Sequence, residues 1–333
     1  MIRFRSGLPL LALCAVTGAG LAHQPATKTD PKPQPAEQPR AAVGRVDLRP
    51  KFELGKVTRY TMKQTSDQVV PNPEDPKDPS KTRLEQTIGL KMTVKGVDKE
   101  SGEATVEVVY ETVRAKLDSP LTSVDFDSTK APPKGPAPQK PADPFDAIDG
   151  MAAEHFKKMV GTTMAMKIAK DGRITSVKGG ETLSPSILPG LGVPAGEAMK
   201  DLGGLFGPIT TNSSTGFDGT ARVGEKWTHR DSLNVGPLGD LNLTTQYDLR
   251  SHSSNTAKVY FNGRTESHSS TAGSPKPVGV ESAEHKGLYS WDTRLGELVR
   301  CEMEQKVTLS GSLTGGQPST AATTLVIERV GKN

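Results

Sequence analysis

The residues of this 333-residue chain that could do chemistry are its six histidines, Cys301, and the closely spaced carboxylates Asp125 and Asp127. Zinc and copper sites gather imidazoles at short, regular spacings, such as i, i+2 on a strand or i, i+4 on a helix. His23, His155, His229, His252, His268 and His285 show no such spacing. Three of them, His252, His268 and His285, fall in or beside Ser-rich segments, so folding alone would have to bring them together. Asp125 and Asp127 would share one face of an extended segment, as a glycosidase acid pair does, but Asp-x-Asp in a short loop reads as solvated. Glu74, Asp75 and Asp78 lack the regular ligand ladder of a calcium loop. A Gly-x-Ser-x-Gly elbow, a His-Glu-x-x-His pair, a Gly-x-Gly-x-x-Gly turn and a phosphate loop are all missing from the sequence. No catalytic, metal-binding or cofactor-binding residue is therefore expected.

Two single residues have more context. Alternation through Leu298-Val299-Arg300-Cys301-Glu302-Met303 places Cys301 with Val299 and Met303, and its charged neighbours on the other face. That is the setting of a buried thiol acting as a small hydrophobe, with nothing nearby to lower its pKa. His155 falls inside the apolar arc of a helix, where it could titrate or ligate in a cavity, or pack at a core edge with one nitrogen bonded. Trp227, Trp291 and Tyr289 could stack on sugars, but core packing is the simpler use of such rings.

The element that carries His155 is Asp143 to Gly161. Asp143 can accept from first-turn amides and Pro144 suits the first helical position, so a helix is expected over 144–160. At 100° per residue, Phe145, Ile148, Met151, Ala152, Phe156, Met159 and Val160 share one face. Elsewhere the pattern has period two. Ile88, Leu90, Met92 and Val94 alternate with polar residues, as do Ala104 to Tyr110, Met164 to Ile168 across a turn at Asp171-Gly172, Leu241 to Leu249, and Ala257 to Phe261. Hydrophobic content of 34%, with 34 Gly and 26 Pro, fits half-exposed antiparallel strands better than a buried parallel sheet. The expected fold is mainly β: a curved antiparallel sheet or open barrel made from two similar meander halves, with one amphipathic helix and a short helical connector.

The expected organisation is a signal peptide over 1–22, a Pro-rich tether over 23–50, a first β half over 51–180, a Gly/Pro-rich connector over 181–214 and a second β half over 215–331. Arg3 and Arg5, the apolar run Leu8 to Leu21 and the small-x-small site Gly20-Leu21-Ala22 make the export signal. Cleavage after Ala22 is expected ahead of lipidation at Cys14, which Leu13 precedes in place of a small residue. The product is soluble in the periplasm or outside the cell, with no transmembrane segment. The net charge of +4 is dispersed, so no nucleic-acid partner is expected.

The Phe52-Glu53-Leu54-Gly55-Lys56 opening, the Asp125-Phe126-Asp127-Ser128 segment, and the strand, Asp171-Gly172 turn and strand ending at Val177 to Gly179 carry a likeness. In these the chain resembles a family of secreted bacterial proteins known only as a domain of unknown function. The resemblance implies a secreted β-rich envelope protein and transfers no active site. The reading that follows is a non-enzymatic envelope protein, binding or structural, whose partner is an envelope protein or polymer, or an apolar small molecule. A sharper form is a carrier of a lipid or other apolar ligand in a half-barrel, lined by Met92, Phe145, Ile148, Met151, His155, Phe156, Met159, Met164 and Met166. A hydrolase with an unrecognised site is the other alternative.

Overall fold

Alternating sequence becomes strand throughout the computed structural model, which describes residues 44–72, 75, 77–120, 123–130, 144–179, 217–234, 240–268, 278–311 and 318–331. The first half contributes β1 (Val46–Asp47), β2 (Val57–Val70), β3 (Ser80–Val97), β4 (Ala104–Asp118), β5 (Ser123–Asp127), α1 (Pro144–Met159), β6 (Thr163–Ile168) and β7 (Ile174–Lys178). The second contributes β8 (Thr220–Ala221), β9 (Lys226–Asn234), β10 (Asp240–Ser253), β11 (Thr256–His268), β12 (Val278–Asp292), β13 (Glu297–Gly311) and β14 (Ser319–Arg329). All but β1 and β8 join one 12-stranded antiparallel sheet in the order β7-β6-β4-β3-β2-β14-β13-β12-β11-β10-β9, with β5 on β4. The sheet is open: β7 and β9 are its two ends, and it does not close into a barrel. Both meanders are thus parts of one continuous sheet. The seam between them is β2 against β14, with Ser66 opposite Thr323 and Met62 opposite Ile327.

One face of this sheet, the inner face, holds the buried side chains. Tyr60, Leu90, Val106 and Met164 from the first half and Leu249, Val259, Phe261, Trp291 and Leu298 from the second belong to a single cluster, so the sheet curves until both halves share a core. Residues 44–56 run across the base of that core. Leu48 N–H donates to the Gly219 carbonyl (2.9 Å), Lys51 N–H to Gly296 (3.3 Å) and Gly55 N–H to Val94 (2.8 Å). Leu48 is fully buried and β1 pairs with β8. The tether expected over 23–50 therefore gives way by residue 44, because Val46 and Leu48 supply the base of the core with apolar area that the tether composition hides.

The helix forms where expected and packs on β4 and β5. Phe156 is buried among Val113, Ala115, Leu117 and Val124, and its ring stacks on Phe126 at 6.1 Å. Lys157 and Lys158 occupy the last turn, where cations suit the carbonyl end of the helix. The chain leaves the helix at Gly161 with φ 78°, a left-handed residue just past the end. Val160, placed on the apolar face from sequence, lies beyond the last turn and is 36% exposed. Asp125-Phe126-Asp127, read from sequence as a short loop, instead belongs to β5, with Val124 buried and both carboxylates on the opposite face.

A bulge corrects the face assigned to Cys301. The β12–β13 register shifts between Ser290 and Trp291, so Leu298 faces Trp291 while Cys301 faces Tyr289. Leu298 and Cys301 are both buried, and Val299 occupies the extra position between them. At the seam, Glu297 accepts from Thr58 Oγ1 (2.7 Å), Lys56 Nζ lies 3.2 Å away, and Arg329 donates at 3.0 Å while also reaching Asp292. One carboxylate thereby joins β2, β13 and β14.

Candidate functional site

Above the shared core, the inner face of the second half is organised in rungs that cross the strands in register. The lowest is aromatic. Phe217 stacks on Trp227 (4.6 Å), Trp227 on Tyr247 (5.6 Å), and Phe261 follows at 6.1 Å from Tyr247 and 4.7 Å from Tyr289. These rings, with the fully buried Trp291, are packing groups, not an exposed sugar platform. Gly287 sits opposite Phe261 because a Cβ there would collide with the Phe261 ring.

The next rung is polar. Its register runs His229, Thr245, Gly263, His285, Gln305, Thr323 and Ser66 across β9 to β14 and β2. Thr245, His285, Gln305, Thr323 and Ser66 are all buried. Buried polar groups must be hydrogen-bonded to be tolerated. Thr245 Oγ1 and His285 Nε2 share a hydrogen bond at 3.0 Å, and Ser66 Oγ and Thr323 Oγ1 share one at 3.1 Å. The first spans a whole strand, which Gly263 permits: a Cβ on Gly263 would strike the His285 ring. Next to Ser66 the rung below carries Gln64, whose Oε1 accepts from Gln86 Nε2 at 2.7 Å.

A third rung holds Thr265, Ala283, Val307, Ala321, Gln68 and Thr82, all buried and mostly small. From β10 to β3 these three rungs contain no Asp, Glu, Lys or Arg. Charge is carried by the opposite, outer face, in cross-strand pairs such as Arg83–Asp67 (2.9 Å) and Arg300–Glu328 (2.9 Å). The inner arrangement is a sheltered, uncharged surface of hydroxyl, amide and imidazole groups above an apolar floor. It can hydrogen-bond a guest but offers no carboxylate for proton transfer.

The histidines considered for a metal set do not converge. His252 lies near the base of the sheet, 3.3 Å from Thr293 Oγ1 and opposite Ala257, whereas His285 is opposite Gly263, about 20 Å farther along β11. The backbone of His268 is farther still, opposite Asp240. Among the described residues no group of three His, Cys, Asp or Glu could hold a metal ion. The histidines that do share a rung are His229 and His285. Strand register puts them in one row, three strands apart with Thr245 and Gly263 between them.

The proposed apolar lining divides between two clusters. Met164 and Met166 are fully buried on β6 in the shared core, and Met92 and Met159 pack against it. Phe156 anchors the helix cluster, which Met159 also touches. His155 is half-buried, edge-on to Phe156 at 5.8 Å, and desolvation with the nearby Lys158 cation holds its pKa below the ordinary imidazole value. The side chains of Phe145, Ile148 and Met151 lie outside the described residues. Burial pushes the Cys301 thiol up to about 12, although a hydrogen bond with Tyr289 opposes the shift, so it is no nucleophile at neutral pH. Asp127 is held below the usual carboxylate range by hydrogen bonds from Thr129 and by Arg114, as in a structural turn.

Among the described residues no helix is long and apolar enough to cross a membrane. No curated protein matches the chain. Among solved structures it is similar to a chain described as "Lipid-protein interactions in lipovitellin", at 13% identity and a TM-score of 0.45, over 84% of this chain and 26% of that one. It thus spans about a quarter of that chain's length. A second likeness, to OpdQ of Pseudomonas aeruginosa, has 8% identity and a TM-score of 0.13, covering 78% of this chain and 67% of that one. Residues 101–206, from the turn before β4 to beyond β7, match a family described as "Family of unknown function (DUF6263)", the kind of family that the short motifs on either side of α1 resemble.

Proposed function

We propose that this is a non-enzymatic binding protein of the cell envelope that holds a lipid-like amphiphile against the inner face of its sheet. The observation that carries the reading is the rung of Thr265, Ala283, Val307 and Ala321 above the Thr245–His285 rung. Side chains this small leave room on the inside of a curved sheet, where a filled interior needs large ones. The uncharged polar rung beneath suits a neutral head group, and the small rung suits an acyl chain. Met92, Phe145, Ile148, Met151, Phe156, Met159, Met164 and Met166 would extend the apolar surface toward the helix, with His155 at its edge. Export through residues 1–22 and tethering through the Pro-rich segment would deliver the protein to the envelope.

Native mass spectrometry of the protein purified from its exported form tests the reading. A co-purifying species of lipid mass is expected in the wild type and should be lost in Ala283→Trp, which fills the small rung while the fold persists. A wild type of bare polypeptide mass, with Ala283→Trp strongly destabilised, would mean that the space is already filled and would overturn the proposal.

A further inference from the structure

The outer face of the sheet is laced with cross-strand ion pairs, among them Arg59–Glu111 (2.8 Å), Lys95–Glu107 (2.8 Å) and Lys167–Glu103 (2.9 Å). Over β9 to β12 that lacing gives way. An open groove of about 640 Å³ runs across these four strands. Thr228, Gln246, Asn262 and Lys286 form one rung of it, and Arg230, Thr244, Arg264 and Glu284 the adjacent rung. Tyr260 stands at one end, its ring held under the Arg250 guanidinium at 5.2 Å.

Within the groove, Thr228, Thr244, Gln246, Asn262 and Glu284 make no side-chain hydrogen bond or ion pair among the described residues. Glu284 is notable because its cross-strand neighbours are the cations Arg264 and Lys306, yet neither closes on it. Partial shelter pushes its carboxyl pKa up despite the Lys306 charge. The cations of the groove are largely matched: Lys286 pairs with Glu304 (2.7 Å) and Arg264 with Glu266 (3.1 Å). Charge balance therefore disfavours a polyanion, whose capture needs a surplus of unmatched cations. Paired amides that both donate and accept, two hydroxyls, an uncommitted carboxylate acceptor and an aromatic ring match the vicinal hydroxyls and ring faces of a sugar chain.

We infer that this outer groove is a binding site for a neutral linear polysaccharide, with Gln246, Asn262 and Glu284 taking its hydroxyls and Tyr260 bounding one end. The site lies on the opposite face from the amphiphile proposed above and stands independently of it. Because the sugar chain carries no charge, its binding is insensitive to salt.

Titration calorimetry with cellohexaose and chitohexaose tests the inference, with polygalacturonate as the anionic comparison. Binding of at least one neutral hexaose is expected, unchanged between low and high salt. Asn262→Ala and Gln246→Ala should each weaken it by about tenfold, the loss of one good hydrogen bond. Glu284→Gln, which keeps the side-chain shape, should weaken it as well. All three positions are on the outer face, so melting temperatures should stay at the wild-type value, and Glu284→Gln decides the matter should either alanine variant fail to fold. Absence of binding to both hexaoses, binding untouched by all three substitutions, or salt-sensitive capture of polygalacturonate in their place would each overturn the proposal.

Discussion

At the residue scale, the surroundings of His155 oppose its charged form. It is half-buried against Phe156, and desolvation and Lys158 together depress its pKa below 6.5. A base with a depressed folded pKa binds fewer protons folded than unfolded just below the unfolded value, so stability rises with pH through that window. His155 therefore costs the fold stability as pH falls below about 6.5 and through its folded pKa, and costs nothing above. His155→Leu should be tolerated or stabilising at neutral pH, and its advantage over the wild type should grow between pH 7.5 and pH 5. Urea midpoints at the two pH values check this. A leucine variant that is less stable at both would show that the imidazole makes a hydrogen bond the fold needs. The sequence placed this residue at the edge of the helix's apolar arc, because helical periodicity fixes a position on an arc without reference to any partner.

At the element scale, Phe156 is what fastens α1 to the sheet. It alone among the described helix residues is fully buried, with Val113, Ala115, Leu117 and Val124 around it and Phe126 stacked upon it. Phe156→Ala should cost about 3–5 kcal/mol, the usual range for truncating a buried phenylalanine. The loss should be local: amide protons of α1 and β5 should lose exchange protection while those of β11 to β13 keep theirs, since the helix cluster is separate from the shared core. Uniform loss of protection would mean that the helix holds the whole sheet. Helix and strands were legible as elements because their periods, 3.6 and 2, are written in the order of apolar residues. The face of Cys301 was only partly legible. Strict alternation carried Val299 to its side, but the bulge opposite Ser290 and Trp291 inserts one residue and puts Leu298 there instead. Alternation counts residues, and a bulge is an extra residue that leaves no mark in the pattern. The polar rung was missed for a related reason: Thr245, His285 and Gln305 look like three unrelated polar residues until register aligns them.

At the scale of the whole molecule, the first and last strands of the large sheet in chain order, β2 and β14, lie side by side in its middle. The chain leaves the seam at β2, meanders out to β7, crosses to the far end at β9 and meanders back to β14 beside β2. No local pattern encodes that seam, since period two says which face a residue takes and never which strand lies alongside. What holds the seam's base is identifiable in the structure. Glu297 on β13 accepts from Thr58 and Arg329 and lies 3.2 Å from Lys56, with all three charged side chains mostly buried. Removing one member of such a cluster leaves the others uncompensated, whereas replacing all of them with apolar groups does not. Glu297→Ala should therefore cost about 2–4 kcal/mol, somewhat below the fully buried range because Lys56 and Arg329 retain some exposure. Replacing Lys56, Glu297 and Arg329 together with methionine should recover most of that loss. Urea unfolding of the single and triple variants measures both. Because β14 is central, Glu297→Ala should shift one cooperative transition for both halves. A first half that melts apart from the second would show instead that each meander folds on its own and that the seam merely joins them.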